Sequence, residues 1–288
     1  MVYGFVADAS ADFPVQSLCA VMGISRSSYY EWLQGNTYVL KEKKALVGLQ
    51  VKLVFEEHVE RYGSRRIEAE LKASGIEAGR CQIRSRMSEQ GLKAIQPRSF
   101  VPKTTQTNPN LRRSPNLLLE MDKVNKVNIV WVGDITYLPM ANGKWSYLAT
   151  WMDLFSRLIV GWKINSSLDA SLVIDSFDKA LLRRQPQAGL IVHSDGGGQY
   201  MDLAFRKTLR TKGFFQSMTR PDNHYDNAFA ESLFSRMKAE LLGDGIFENL
   251  NDSQIRIFEY IETYYNRKRR HSSLNYQSPE NFELYHSK

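Results

Sequence analysis

The chain has 288 residues, of which 43% are hydrophobic and 24% charged, and its formal net charge is +7 at pH 7. This composition predicts a folded protein of two or three domains rather than a disordered chain. The basic balance, with a pI of about 9.3, indicates a polyanionic partner such as nucleic acid. Two cysteines, Cys19 and Cys81, exclude a disulfide framework. Since neither a membrane span nor a signal peptide is recognisable, we expect a cytoplasmic protein without a membrane partner.

Residues 1–40 predict a helix-turn-helix. Helices over 14–22 and 26–33 are separated by the short turn Gly23-Ile24-Ser25. In a DNA-binding unit of this kind the second helix enters the major groove. Any small helical hairpin has a similar glycine turn, so DNA contact and a purely structural hairpin remain alternatives here.

Residues 41–95 predict a second helical, DNA-binding unit. Its first helix, over 41–60, is amphipathic, and its apolar residues are Leu46, Leu49, Leu53 and Val54. Its last helix, over 80–87, places Ile83 and Met87 on one face, which leaves a basic face for DNA phosphates. The predicted phosphate contacts of this unit are Arg65, Arg66, Arg80, Arg84 and Arg86.

Two basic runs accompany these units. Between Gly79 and Arg113 eight basic residues occur against one acidic residue, Glu89. The second run is Arg267-Lys-Arg-Arg270, near the C-terminus, from which we take Arg267 and Arg270 as predicted DNA contacts. Such runs are often only solvated surface, but two of them in a basic chain favour nucleic acid.

The segment 96–125, rich in proline, threonine and asparagine, predicts a linker. Residues 126–245 then change to a strand pattern, and 246–288 form a helical C-terminal extension. In chain order the catalytic segment predicts strands over 128–138, 145–153 and 158–164, a helix over 168–184, a strand ending at 195, a helix over 203–212, a strand over 214–218 and a helix from about 226. This βββαβαβα order predicts an α/β domain with a mixed sheet of the ribonuclease H type, preceded by an all-α region.

Three acidic residues lie where a charge is unexpected. Asp134 interrupts the apolar run 129–138, Asp195 closes the run 190–195, and Glu231 lies among apolar residues of the last helix. A carboxylate in a buried strand is costly unless it is paired or binds a metal. Singly, each acid also has an ordinary explanation as a turn residue, a helix cap or a solvated side chain. Together they predict one site for Mg²⁺, which prefers oxygen ligands.

The last helix adds a cation to this site. Its predicted buried row consists of Phe229, Leu233 and Met237, at helical spacing. Glu231 is off that row, and Lys238, seven positions later, lies on the same side as Glu231. One helix could therefore provide both a metal ligand and a cation for a substrate phosphate.

Several segments of this sequence closely resemble the downstream-frame (OrfB) transposases of insertion sequences, in the DDE transposase and retroviral integrase superfamily. Sixty residues separate the first two acids (135–194), and thirty-five separate the last two (196–230), the latter matching the spacing of that family. The resemblance covers nearly the whole chain, and its strings are those of residues 21–33, 62–67, 131–137, 153–157, 193–195, 226–232 and 265–274.

The resemblance implies a polynucleotidyl transferase that cuts and joins DNA at the ends of a mobile element. Asp134, Asp195 and Glu231 would hold two Mg²⁺ or Mn²⁺ ions. The implied partners are double-stranded DNA (element ends and target), further copies of the chain assembled on DNA, and an upstream-frame product as a fusion or separate protein. The implied location is the bacterial cytoplasm, at the nucleoid.

Two departures from the family pattern accompany this resemblance. Gly196 stands where members usually have a basic residue, and Asp222-Asn-His224 replaces a common Gly-Asn-Cys. His193 and His224 are candidates for contacts behind the acids or to phosphate, although a structural role is the simpler interpretation. Two other functions stay open: a nuclease of the same fold that does not join DNA, and a non-catalytic DNA-binding regulator.

Overall fold

A computed structural model describes residues 2–97, 113–221, 224–242 and 245–286. The chain divides into two compact units, Met1–Ala94 and Ile95–Lys288. In the described residues no helix is both long enough and apolar enough to cross a membrane.

The described part of the first unit is entirely helical. Three short helices pack around Val6, Cys19 and Tyr29, and three further helices bury Val51, Ile67 and Ile83 among other apolar residues. The six helices are α1 (Val2–Ala9), α2 (Val15–Val21), α3 (Arg26–Leu33), α4 (Asn36–Glu57), α5 (Ser64–Ala73) and α6 (Arg80–Glu89). The predicted boundary between residues 40 and 41 therefore lies inside one continuous helix.

Helix α4 buries a different face from the one that the leucine pattern indicates. Leu46, Leu49 and Leu53 are each about half exposed, at 56%, 54% and 48%. The buried positions of α4 are Val47, Val51, Val54 and Phe55. These four are spaced by four, three and one residues, so they form one stripe that packs on α5 and α6. Of the four apolar residues singled out in the sequence, only Val54 lies in the core.

The second unit is built on a five-stranded mixed sheet with the order β3-β2-β1-β4-β5. The first three strands are antiparallel neighbours, whereas β4 and β5 run parallel to β1. The strands are β1 (Val130–Pro139), β2 (Trp145–Asp153), β3 (Ile159–Asn165), β4 (Ile191–Ser194) and β5 (Phe215–Met218). The predicted mixed-sheet α/β fold is confirmed, with strand ends displaced by one or two residues.

Helices cover the two faces of this sheet. On one face, α7 and α8 close a core around Trp131, Trp151 and Phe177. On the other, Val130 and Val132 of β1 pack against Ala230 of α9. The helices of this unit are α7 (Ala170–Arg184), α8 (Leu203–Lys212), α9 (Ala228–Leu242), α10 (Leu250–Phe258) and α11 (Pro279–His286). A short 3₁₀ turn, His224–Asn227, leads into α9.

Part of the predicted linker belongs to the second unit. Leu118, Met121 and Val124 pack against the apolar cluster beneath α9. The backbone nitrogen of Met218 donates to the Pro115 carbonyl over 3.2 Å, and Leu117 N donates to Ser217 Oγ over 2.9 Å. The linker predicted over 96–125 is therefore wrong for its second half, because this segment lies along β5. Residues 98–112 lie outside the described residues.

A buried ion pair connects α9 to the C-terminal extension. Arg269 donates to both carboxylate oxygens of Glu240, with a shortest distance of 2.6 Å, and their side chains are only 1% and 5% exposed. Tyr260 donates to the same carboxylate over 2.7 Å. Residues Glu259–Tyr265 form a π-helical turn that directs Tyr260, Tyr264 and Tyr265 inward. All three tyrosines are thus part of the core.

Candidate active site and nucleic-acid interface

Asp134 lies in β1, and Asp195 directly follows the end of β4, the parallel neighbour of β1. Val132 pairs with His193, and each acid comes two residues after one member of this pair. Residues two apart on a strand share a face. Both acids therefore lie on the α9 face of the sheet, because Val132 packs towards Ala230 of that helix. Neighbouring strands are about 4.8 Å apart, close enough for the two carboxylates to interact directly.

The two aspartates destabilise each other's charge. Burial raises the pKa of Asp134 well above its ordinary value, and the negative charges of Asp195 and Glu231 raise it further. Hydrogen bonding to the Ile135 nitrogen and the charge of Lys238 oppose this rise. Burial also raises the pKa of Asp195, against a hydrogen bond from the Gly197 nitrogen and the positive charge of Arg113. A divalent cation between these carboxylates would relieve the repulsion.

Glu231 and Lys238 reach the same place from α9. Glu231 lies in the first turn of α9 with an exposed side chain, and its charge acts on Asp134. Lys238 is half-buried; burial lowers the pKa of its ammonium, whereas the attraction of Asp134 raises it. The predicted pairing of an acid and a cation on one helix side therefore corresponds to two groups that both act on Asp134.

The predicted buried row of α9 is wrong at its first position. Phe229 is 46% exposed, and the guanidinium of Arg157 lies 4.1 Å from its ring centroid. The face on the sheet consists of Ala230, Leu233, Phe234 and Met237. Since helical positions i, i+3, i+4 and i+7 form one stripe, Phe229 falls at its margin.

No complete metal cage is formed in advance. Among the described residues, no group of three or more acidic, histidine or cysteine side chains is already arranged around one cation position. Asp134 and Asp195 provide the hard oxygen donors that suit Mg²⁺, and Glu231 is within electrostatic range but exposed. The donor chemistry of the two aspartates therefore suits a divalent cation.

His193, on β4, connects β5 with the turn that leads into α9. Its Nε2 lies 3.1 Å from the Asp226 carbonyl, which only accepts, so Nε2 carries the proton. Its Nδ1 therefore accepts from the Ser217 hydroxyl, at 2.8 Å. Burial lowers the pKa of His193, in keeping with a neutral ring. These contacts are structural, and the side chain of His224 lies outside the described residues.

Asp226 fixes the entrance to α9. Arg220 binds both of its carboxylate oxygens at 3.0 Å, and Asn116 donates to the same carboxylate over 2.9 Å. The Arg220 hydrogen bonds hold the pKa of Asp226 far below its usual range, despite an opposing effect of desolvation. Asp226 is thus a stable anion that connects the start of α9 with the segments of Arg220 and Asn116, the latter within the predicted linker.

A basic side chain from elsewhere occupies the space at Gly196. A Cβ at Gly196 would lie within 3.0 Å of three guanidinium atoms of Arg113. Arg113 is thus beside Asp195, whose pKa it lowers. Sequence reasoning missed Arg113 as a site residue, because nothing local in the sequence connects it with a position 83 residues later (196 − 113).

Tyr200 and Gly197 also escaped the sequence analysis. Tyr200 is buried beneath the acids; burial raises the pKa of its hydroxyl, and so do the charges of Asp134 and Asp195. Gly197 N donates to Asp195 Oδ1 over 3.0 Å, and a Cβ there would meet the same oxygen at 3.0 Å. The glycine run after Asp195 was the only sequence signal for this close approach.

The predicted DNA contacts fall into two groups. Arg65, Arg80 and Arg84 have exposed side chains, as the prediction requires. The others already have protein partners: Arg66 over the Tyr62 ring, Arg86 with Glu89 at 2.6 Å, Arg267 with Glu280 at 3.5 Å, and Arg270 with the Tyr276 carbonyl at 2.9 Å. The C-terminal run is not one basic surface, because Arg269 is buried between Arg267 and Arg270.

Family models match both units. An integrase core domain model matches residues 124–224, and a second model of that description matches 212–279. An HTH-like domain model matches residues 41–100.

Whole-length relatives decide the family. The transposase for insertion sequence element IS904 of Lactococcus lactis is 42% identical over 245 residues, which cover 85% of this chain and 96% of that protein. The chain belongs to the insertion-sequence transposases. Transposase InsF of insertion sequence IS3A from Escherichia coli K12 is 34% identical over 285 residues, 98% of each protein. Members of this family are DDE-type polynucleotidyl transferases, so the chain is an enzyme.

Among solved structures, a chain of the simian T-cell lymphotropic virus intasome matches at 15% identity and a TM-score of 0.47. The match covers 81% of this chain and 74% of that chain.

Proposed function

We propose that this transposase cleaves and joins DNA at insertion-sequence ends, using Asp134, Asp195 and Glu231 to hold two Mg²⁺ or Mn²⁺ ions. The observation that carries this proposal is the convergence of charges at Asp134 in β1: Asp195 at the end of the parallel strand β4, and Glu231 and Lys238 on α9, all act on its carboxylate. Two half-buried acids with raised pKa values are an unfavourable arrangement that functional sites, rather than cores, maintain.

Each residue has a role in an in-line displacement at phosphorus. When bound, the two cations would activate the attacking oxygen and stabilise the leaving one. Asp134 in β1 and Asp195 at the end of β4 would bind the ions from the sheet, and Glu231 would bind them from α9. Lys238 offsets part of the phosphate charge. No covalent link to the protein is needed.

The partners follow from the charge distribution. We propose that double-stranded DNA of the element ends and of the target binds through Arg65, Arg80 and Arg84 in the first unit, and through Lys238 at the acids. Cleaving and joining two element ends requires further copies of the chain on DNA. An upstream-frame product, as a fusion or a separate protein, would provide additional end binding, and the work would take place on the bacterial nucleoid.

The test of this function is an oligonucleotide assay with element-end duplexes. The substrates come from the DNA that flanks the coding frame, and the upstream-frame product is added. Cleavage and joining in Mg²⁺ but not in EDTA supports the proposal. Cleavage without joining would identify the nuclease alternative, and binding without cleavage would identify the regulator.

Replacing Asp134 by asparagine should stabilise the metal-free protein. The pKa of Asp134 is raised from its ordinary value of 3.8, so the ionised group costs free energy in the folded state as the pH rises above that value. We expect Asp134→Asn to raise the free energy of unfolding by about 0.5–2 kcal/mol at pH 7, an advantage that narrows at lower pH. Urea denaturation in EDTA measures it.

The matched control is Asp178→Asn on α7, where the side chain is exposed and the substitution should change little. Addition of Mg²⁺ should raise the melting temperature of the parent protein but not of Asp134→Asn, because only the intact site binds the ion. An Asp134→Asn protein that is less stable than the parent at pH 7 would contradict the proposed charge repulsion.

Arg84, one of the two exposed arginines of α6, should contribute to the salt dependence of DNA binding. Each neutralised phosphate contributes a slope of about −0.9 in log K against log salt on duplex DNA. We expect Arg84→Ala to make the slope less negative by about 0.9, the value for one phosphate contact. Arg86→Ala should change the slope less, because Arg86 pairs with Glu89. If a variant with both Arg84→Ala and Arg86→Ala has the same slope as the parent protein, these arginines are solvated and do not contact DNA phosphates.

A further inference from the structure

The strongest unassigned feature of the molecule is the guanidinium of Arg113 above Gly196. Its flat group fills the volume where any other residue at 196 would place a Cβ. It lies close enough to Asp195 to lower the pKa of that acid. The two opposite charges attract each other, although no ion pair within 4.0 Å joins them among the described residues.

Arg113 also retains a free hydrogen-bond donor. Its Nη1 is shielded from solvent and has no hydrogen-bond partner in the described part of the chain. An unpaired buried donor is costly, and a charged one more so. A ligand that brings an anionic oxygen to this position would satisfy the donor.

The chain segment that carries Arg113 is firmly held. Ser114 Oγ donates to Gln216 Oε1 over 2.8 Å, and the Pro115 carbonyl accepts from Met218 N. Asn116 donates to Asp226, the acid that clamps the entrance of α9. These bonds attach the segment to β5 and to α9 together. The position of Arg113 is therefore fixed relative to β5, the neighbour of β4, and to the entrance of α9.

We propose that Arg113 binds a phosphate oxygen of the DNA strand at the carboxylate pair, and that Gly196 is required because it leaves room for the guanidinium. This proposal rests on the proposed DNA cleavage. Arg113 lies beside Asp195 and Lys238 acts on Asp134, so two cations flank the two acids. A planar guanidinium can make two parallel bonds to one phosphate, which fixes its orientation as well as its charge.

Two different substitutions test the proposal at the same point. Arg113→Ala removes the guanidinium, whereas Gly196→Ala keeps it but places a methyl group in its volume. The backbone at Gly196 is compatible with alanine, since its φ is not in the left-handed region. Gly198→Ala is the matched control, because a Cβ there meets nothing within 4 Å.

The measurement is single-turnover cleavage of an element-end duplex in Mg²⁺ with the upstream-frame product present, beside a binding titration and a thermal melt. We expect Arg113→Ala and Gly196→Ala each to lose roughly 10- to 100-fold in rate or end affinity, the usual effect of removing a charged hydrogen bond. The double variant should lose no more than either one, because both remove the same contact. Arg113→Lys should recover part of the loss, and Gly198→Ala should match the parent.

Several results would overturn the proposal. One is full activity of Gly196→Ala. Another is a variant with both Arg113→Ala and Gly196→Ala whose loss of rate or affinity equals the product of the two single losses. A third is a loss that only follows a lowered melting temperature, which would make Arg113 a structural residue. Failure of the proposed function has a different signature: the parent protein and Asp134→Asn would then cleave equally or not at all.

Discussion

Asp134→Asn, Asp195→Asn and Glu231→Gln should each slow the cleavage and joining of element-end DNA by at least about 10³-fold. The substitutions keep the shape of each side chain and remove one metal-binding charge, and the cations contribute several kcal/mol of transition-state stabilisation. DNA affinity should stay unchanged or rise slightly, because a negative charge near the phosphates is gone. A strand-transfer assay run beside a binding titration measures both quantities.

Lys238→Ala provides the contrast to these three variants. The lysine acts on Asp134 and is half-buried, so its removal should weaken the engagement of the DNA end. It should leave stabilisation by Mg²⁺ intact, because the oxygen ligands remain. Asp178→Asn, an exposed acid on α7, should behave like the parent in every assay. If Asp134→Asn, Asp195→Asn and Glu231→Gln join DNA at the parental rate, the assignment of these acids as metal ligands is wrong.

Arg269→Ala should lower the free energy of unfolding of the second unit by about 3–5 kcal/mol, because it leaves the Glu240 carboxylate buried without its partner. This is a large part of the roughly 5–15 kcal/mol that stabilises a typical protein. Glu240 lies in the last turn of α9, so the loss should also loosen the helix that carries Glu231 and Lys238. Urea denaturation followed by tryptophan fluorescence reports it, since Trp131 and Trp151 lie in the core of this unit.

Arg267→Ala is the matched control for this effect. Its partner Glu280 is 3.5 Å away, and the two side chains are 61% and 40% exposed. Exposed pairs contribute about 0–1 kcal/mol, so the control should be nearly as stable as the parent. Equal stability of the two variants would show that the buried pair contributes no more than a surface one.

The sheet and its acids were predictable because strands carry local signals. Apolar runs of strand length and the helix-length segments between them gave the βββαβαβα order, and β2 and α8 have the predicted bounds. Strand order then places Asp134 in β1 and Asp195 at the end of its parallel neighbour β4. The number of residues between the acids does not by itself show how far apart they lie in space, because that distance depends on the fold.

Side-chain burial was less predictable, because apolar character does not say which neighbour a helix will meet. In α4 three leucines stay half-exposed while valines and Phe55 form the core face. In α9 Phe229 lies at the margin under Arg157. In the C-terminal basic run Arg269 is buried by Glu240, a residue 29 positions earlier. Each outcome depends on a partner distant in sequence.

The former linker gave the largest difference between sequence and structure. Prolines and polar residues over 96–125 indicate a flexible connection. From residue 113 onward, however, side-chain and backbone bonds to Gln216, Ser217 and Asp226 fix the chain to the sheet. Arg113 reaches the acids for that reason, and no local pattern reports such contacts.

The most direct test of the central claim is to locate Mn²⁺ by anomalous diffraction in crystals of the transposase bound to an element-end duplex. The account predicts Mn²⁺ in contact with carboxylate oxygens of Asp134 and Asp195, with Glu231 turned inward as a further ligand, and no ion there in crystals of Asp134→Asn. Mn²⁺ bound only at other carboxylates, with Asp134 and Asp195 left without an ion beside the DNA end, would contradict it.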